Sequence, residues 1–165
     1  MFDSLDSETP AVREAAMTEA LKVRKEAATR AAELIERYHA DPQRQGTVKD
    51  CLLLLGHLGA NEHVALLVHH LTFEAYYKNT KRPQTTEDLY PASAALAELG
   101  PSALPAVLDR LRGEDGETLA RAGAAALAGA LGRHYALVIL DDELRRATGP
   151  AHARLEAVKQ QLDKR

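Results

Sequence analysis

Residues 95–108 read Ala-Leu-Ala-Glu-Leu-Gly-Pro-Ser-Ala-Leu-Pro-Ala-Val-Leu, and this stretch decides the prediction of the fold. Alanine and leucine favour a helix up to the Gly-Pro dipeptide, which interrupts helices. Beyond it, Leu104, Val107 and Leu111 recur at spacings of three and four, as on one face of a second helix. The stretch therefore predicts two helices joined by a short turn.

Internal repetition extends this hairpin pattern along the chain. The same place before a turn is occupied by Leu-Gly-His-Leu-Gly at 55–59, Leu-Ala-Glu-Leu-Gly at 96–100 and Ala-Gly-Ala-Leu-Gly at 128–132. The predicted hairpins cover about 47–77, 91–113 and 117–147. One amphipathic helix pair leaves apolar surface uncovered, so neighbouring pairs are expected to stack and share a core.

Two further helical segments flank the hairpins. The first, 9–40, begins with Thr9 as the predicted N-cap and Pro10 at the first helical position. Nothing between 17 and 27 forces a turn, so this segment forms either one long helix or two. The second segment, 150–163, is predicted to be a capping helix. The chain of 165 residues is therefore predicted to be one all-α domain, 1–165.

The stretch 95–108 resembles the HEAT repeats, a family in which an Ala-x-x-Leu-Gly helix end, a short turn and a second helix with Leu-Pro recur. Residues 10–16, Pro-Ala-Val-Arg-Glu-Ala-Ala, also look like the first-helix opening of that family. The resemblance implies a right-handed α-solenoid of stacked antiparallel hairpins with about 7–9 helices, whose second helices line a concave surface. An unrelated helical bundle is the alternative.

Polar residues on the predicted second helices are the candidate contacts of that concave surface. These candidates are His69, His70, Asp109, Arg110, Asp142 and Arg145. The alternative interpretation is an ordinary solvated helix face, which is the usual place for charges on an amphipathic helix.

The connection between the first two hairpins, residues 73–90, is longer than is usual in compact helical domains. It holds four of the seven Phe and Tyr residues of the protein, together with three cations. These residues are Phe73, Tyr76, Tyr77, Tyr90, Lys78, Lys81 and Arg82. Tyrosine and arginine frequently anchor interfaces, which favours partner binding here. Alternatively, the rings continue the helix after Leu71 and pack against the edge of the domain.

The sequence contains no recognisable catalytic motif. His63 and His70 are separated by about 10 Å along a helix, too far for one metal ion. The carboxylates of residues 141–143 are interpreted as surface groups that pair with nearby arginines. Cys51 is the single cysteine, so it is expected to be a small buried residue without a disulfide. We therefore predict no catalytic residue, no cofactor and no metal.

Charge and apolar patterning narrow the class of partner and the location. The 24 acidic and 21 basic side chains nearly cancel, which argues against nucleic-acid binding. No segment has the length of a membrane span, and the first residues lack the pattern of a secretory signal, so a cytoplasmic location is expected.

Two functions from different classes follow from these observations. The first is a non-enzymatic scaffold or adaptor that binds a protein or peptide through the concave surface and the segment 73–90. The alternative is a HEAT-like protein that binds or modifies a small molecule, for example as a lyase, and a HEAT-like nucleic-acid glycosylase is a third possibility. The oligomeric state is left open.

Overall fold

The computed structural model describes residues 2–74 and 85–164, and within these ranges the chain is all-helical, without a β-strand. Eight of the described α-helices have nine or more residues, and two are shorter. The helices are α1 (Pro10–Ala20), α2 (Arg24–Tyr38), α3 (Gln45–His57), α4 (Val64–His69), α5 (Thr86–Leu89), α6 (Pro91–Leu99), α7 (Leu104–Gly113), α8 (Glu117–Leu131), α9 (Arg133–Arg146) and α10 (Gly149–Asp163). The all-α prediction is confirmed.

The N-terminal segment forms two helices, α1 and α2, rather than one. The break is a turn in which the amide of Val23 donates to the carbonyl of Ala20 at 3.0 Å. Ala20 on α1 and Ala27 on α2 are both buried, whereas Leu21 between them is exposed. The chain turns here because both helices bury an alanine face against the same core, although no glycine or proline stands at the break.

Glycines end the first helix of each repeated hairpin. Gly59, Gly100 and Gly132 are the last residues of the three repeated pentapeptides, and their φ angles are +64°, +69° and +76°. Only glycine adopts this left-handed region without a steric penalty, and it commonly follows the end of a helix. The internal repetition found in the sequence is therefore also a repetition of backbone conformation.

Two other glycines allow the first helices to pack closely. A Cβ atom at Gly56 of α3 would lie 2.6 Å from the Cα of Ala95 on α6. A Cβ atom at Gly129 of α8 would lie 2.5 Å from the Cβ of Ala97, also on α6. Helix α6 is therefore approached closely from both sides, at positions where only glycine leaves room.

The helices contact one another in chain order. The most extensive contacts join α2 with α3, α3 with α6, α6 with α8, and α8 with α10. The shorter or outer helices α4, α7 and α9 lie against this series, with α4 against α6 and α7, α7 against α8, and α9 against α8 and α10. The core consists mainly of leucine and alanine, and Cys51 is buried within it as expected.

The second helix of the first hairpin is shorter than the sequence indicates. It was expected to reach about Tyr77, but α4 ends at His69, and residues 70–72 form a turn. Arg110 of α7 donates to the carbonyl of Val68, which also accepts a bond from the amide of Leu71. A residue of a different hairpin thus contacts the end of α4, and no local pattern could reveal this contact.

Arginines bind the carboxyl ends of neighbouring helices at two further places. Arg24 donates to the carbonyl of Leu58 at 2.8 Å, directly after α3, and Arg154 donates to the carbonyl of Arg112 at 2.8 Å, in the last turn of α7. The last carbonyls of a helix have no partner inside it, and a cation also interacts favourably with the negative end of the helix dipole. These contacts join the two flanking helices α2 and α10 to hairpins from which they are separated by more than 30 residues.

Candidate interaction surface

Helices α7 and α9 are separated by an open groove of about 670 Å³, which we call the α7/α9 groove. Its apolar part is formed by Pro101, Leu104, Pro105, Leu108, Val138 and Ile139. Its charged part is formed by Asp109, Arg112, Asp142, Glu143 and Arg145. An apolar floor with a charged rim is the usual composition of a site that receives a polypeptide.

The sequence of α7 explains one wall of this groove. Val107 and Leu111 are buried in the core, whereas Leu104, at the start of the same face, is only half-buried and Pro105, on another side of the helix, is exposed. The core uses only the stripe of residues that faces it, so the remaining apolar residues form an outward wall.

Helix α9 forms the other wall and exposes large apolar side chains. Ala136 and Leu140 are its only buried residues, and they stand one turn apart. Tyr135 is 66% exposed and Val138 is 52% exposed. Apolar side chains of this size that face solvent beside a groove are typical of interaction sites. This exposed part of α9 therefore extends the apolar surface beyond the groove.

Ion pairs close the charged end of the groove. The guanidinium of Arg112 on α7 contacts Asp109 at 2.6 Å and donates through Nε to Glu143 of α9 at 3.1 Å. On α9, Asp142 pairs with Arg145 at 3.2 Å and also with Arg146. The lining thus holds three carboxylates and two guanidinium groups, and Arg146 beside the groove supplies a third cation that pairs with Asp142.

A second groove lies between α4 and α7, has a volume of about 470 Å³, and is called the α4/α7 groove. Its lining is Ala65, Val68, His69, Asp109, Arg110, Gly113 and Glu114. Arg110 joins its two walls, because it bonds to the carbonyl of Val68 and pairs with Glu114 at 3.0 Å. Asp109 borders both grooves. The two grooves and the exposed part of α9 together form the α4–α7–α9 surface.

Five of the residues predicted to contact a partner lie together on this surface. They are His69, Asp109 and Arg110 in the α4/α7 groove, and Asp109, Asp142 and Arg145 in the α7/α9 groove. The prediction came from the concave surface that the resemblance to HEAT repeats implies, and the structure brings these residues from three separate hairpins to two grooves that share Asp109.

The other predicted contact residues lie elsewhere. His70 is only 7% exposed and Tyr90 only 6% exposed, so neither can offer a large contact area on the surface. Phe73 is half-buried and packs against the core, and it does not continue a helix. Tyr76, Tyr77, Lys78, Lys81 and Arg82 fall outside the described residues.

Sequence reasoning missed the apolar part of the surface. Tyr135 and Val138 stand three residues apart on a helix whose buried positions are 136 and 140, so the periodicity already indicates that they face outward. Arg112 and Glu143 could not be paired in advance, because their contact depends on the way that two hairpins pack.

A smaller pocket of about 310 Å³ lies where the end of α7 and the start of α8 meet α10. Three carboxylates stand at its rim, and each already has an arginine partner. The pairs are Asp115 with Arg154 at 2.8 Å, Glu114 with Arg110 at 3.0 Å, and Glu117 with Arg121. This pocket therefore presents balanced ion pairs rather than a free acid or base.

Burial changes the chemistry of two titratable side chains. Burial raises the pKa of Cys51 to about 12, which leaves an unreactive thiol at neutral pH. Burial also lowers the pKa of His70 to about 4, with smaller contributions from His69 and His39. Within 2–74 and 85–164, no three His, Cys, Asp or Glu side chains converge in a way that could hold a metal ion.

Comparison with protein-family models, with curated proteins and with solved structures finds no match to this chain. Among the helices that the structure describes, none is by itself long and apolar enough to cross a membrane; only α8 and α9 together, bent by 119° at their junction, reach such a length and composition.

Proposed function

We propose that this chain is a non-enzymatic binding module that holds a polypeptide partner on the α4–α7–α9 surface. The observation that carries the proposal is the meeting of two grooves along α7, with polar residues from three hairpins around an apolar floor. In addition, Tyr135 and Val138 remain exposed beside the groove.

The shape and charge of the surface favour a polypeptide over a small ligand. Both grooves are open and adjoin one another, so they suit an extended contact with several side chains rather than enclosure of one compact molecule. The lining of the α7/α9 groove has no excess of positive charge, which does not favour a polyanion such as a nucleic acid. The aromatic and aliphatic side chains of α9 are of the kind that dominate binding energy between proteins.

We further propose that the hairpins form a HEAT-like solenoid. The support is the contact of α3, α6, α8 and α10 in chain order, together with a left-handed glycine at the same place in three repeats. In such an arrangement, α4, α7 and α9 are equivalent second helices, and a partner can lie across all three. The segment 73–90, with Tyr76, Tyr77 and its three cations, is proposed as a further contact beyond α4.

Two matched valine substitutions test the proposal. Val138 on α9 and Val12 on α1 are both exposed helical valines, but Val12 lines neither groove. Polypeptides captured from a native cell lysate by the wild-type chain should be lost with Val138→Asp and retained with Val12→Asp. Circular dichroism confirms that both variants keep the wild-type helix content.

Three results would contradict this proposal. The first is capture of no polypeptide by the wild-type chain, and the second is undiminished capture by a folded Val138→Asp variant. The third is equal loss with the Val12→Asp variant, because that would show a general effect of adding a charge. A Tyr76→Ala/Tyr77→Ala variant tests the segment 73–90 separately, with weaker capture as the expected result.

A further inference from the structure

Three histidine rings meet where the ends of α2 and α4 come together, and we call them the histidine cluster. The ring of His70 lies 5.0 Å from that of His69, edge to face, and 5.5 Å from that of His39. His39 and His69 are exposed, whereas His70 is buried beneath them. The cluster therefore joins two solvent-accessible imidazoles to one that is removed from water.

The buried imidazole has little to stabilise a positive charge. Its Nε2 atom is inaccessible to solvent and has no hydrogen-bond partner among the described residues. The charged and titratable groups that face it are His69 of α4, His39 and Glu36 of α2, and Arg110 of α7. Only Glu36 would favour a proton on His70, and that carboxylate is itself exposed. Burial and the three basic side chains His69, His39 and Arg110 thus all oppose protonation of His70.

The cluster also lies at the end of the short helix α4. The helix has six residues, and beyond it the amides of His70, Leu71 and Phe73 donate to the carbonyls of Leu66, Val68 and His70. Arg110 fixes this end through the carbonyl of Val68. A charge on His70 would therefore act on the short helix that forms one wall of the α4/α7 groove.

We propose that the histidine cluster is an acid-sensitive switch, in which protonation at mildly acidic pH opens the end of α4 and reshapes the α4/α7 groove. The opening itself does not require a partner. Its consequence for binding rests on the proposed function of the α4–α7–α9 surface.

Proton linkage gives the direction and the pH range. When α4 opens and His70 reaches water, its imidazole accepts a proton near its ordinary pKa of 6.5, whereas the closed form holds the pKa near 4. Between these two values the open form binds more protons, so acid favours opening. The equilibrium constant for opening is expected to rise roughly tenfold or more from pH 7 to pH 5. The effect is absent above about pH 7.

Amide hydrogen exchange of the full chain without a partner tests this switch. After correction for the intrinsic dependence of exchange on pH, protection of the amides in 66–73 should fall about tenfold or more from pH 7 to pH 5, while α8 keeps its protection. In His70→Phe, which keeps a buried ring but cannot bind a proton, this local dependence on pH should disappear. The matched control is His152→Phe, which changes an exposed histidine of α10. This variant should show the same dependence of 66–73 protection on pH as the wild type.

Unchanged protection of 66–73 in the wild-type chain would overturn the proposal, and so would acid-induced opening that persists in His70→Phe. If His70→Phe does not fold, the His39→Gln/His69→Gln double variant replaces it. That variant keeps His70 but removes two side chains that lower its pKa in the closed form, so the loss of protection from pH 7 to pH 5 should be smaller than in the wild type; an undiminished loss would count against the switch. Because no partner is present, these results are independent of the capture experiment with the valine variants.

Discussion

Helices α8 and α9 are joined by one glycine and have almost the same length, yet they use their residues differently. Eight of the 15 residues of α8 are buried, among them Leu127, whereas α9 buries two of 14. Helix α8 lies between α6 and α10 and is specified by packing on several sides. Helix α9 packs on one side only and exposes Tyr135 and Val138. The contrast separates a helix that is mostly buried in the core from a helix that leaves apolar side chains open to solvent.

The largest expected effect is a difference in stability between one substitution in α8 and one in α9. Leu127→Ala, at a fully buried site of α8, should lower the free energy of unfolding by about 2–5 kcal/mol, because it leaves a cavity among leucines and alanines. Val138→Ala on α9 should change it by no more than about 0.5 kcal/mol. Urea denaturation followed by circular dichroism measures both. Similar losses for the two variants would remove the distinction between the helices.

The next effect is the dependence of stability on pH, which arises from His70 at the end of the outer helix α4. The lowered pKa of His70 implies that stability is complete above about pH 6.5 and falls as the pH decreases towards 4, because the unfolded chain then binds an additional proton. The loss attributable to His70 is at most about 3 kcal/mol. Denaturation curves at pH 7 and pH 5 measure this loss. The difference in the free energy of unfolding between the two pH values should be smaller in His70→Phe than in the wild type. An equal loss in both proteins would place the acid sensitivity elsewhere.

A smaller effect is expected where the backbones of the inner helices α3 and α6 lie close together. Gly56→Ala introduces a methyl group 2.6 Å from the backbone of Ala95, so α3 and α6 must separate, at a cost of about 1–3 kcal/mol. Gly113→Ala is the matched control, because its new methyl group has no neighbour within 4 Å. Thermal unfolding should therefore show a lower Tm for Gly56→Ala alone. A Tm equal to that of the control would show that α3 and α6 tolerate separation.

The smallest effect concerns the ion pairs between the outer helices. Arg112→Gln removes the pair with Asp109 within α7 and the link from α7 to Glu143 of α9, and should cost about 1 kcal/mol or less, because the guanidinium is about one-third exposed. Arg145→Gln removes a more exposed pair and should be neutral within error. Urea denaturation of both variants tests this order. A large loss for Arg112→Gln would mean that the groove is a rigid part of the fold.

Local patterns predicted the hairpins because their turns depend on local chemistry. Gly59, Gly100 and Gly132 needed a left-handed conformation, and the sequence pattern placed all three correctly. The turn after Ala20 and the end of α4 at His69 had no such signal. The first arises from burial of two alanine faces, and the second includes a contact from Arg110, so both depend on packing between distant segments.

The candidate surface could be predicted in its polar part but not in its shape. Asp109 and Asp142 follow from helix periodicity, which assigns them to an outward face. Their common position around an apolar floor depends on the separation of α7 and α9, which is a result of tertiary packing. Tyr90 shows the converse, since an aromatic residue in a long connection suggested an exposed anchor, yet it is buried at the start of α6.

Site-specific photo-crosslinking tests the central claim most directly. A benzophenone amino acid is introduced at position 138 on α9, at position 109 between the two grooves, and at position 12 on α1. If the partner binds on the α4–α7–α9 surface, positions 138 and 109 should form covalent adducts with a polypeptide, and position 12 should form none. Adducts from position 12 alone, or equal adducts from all three positions, would contradict it.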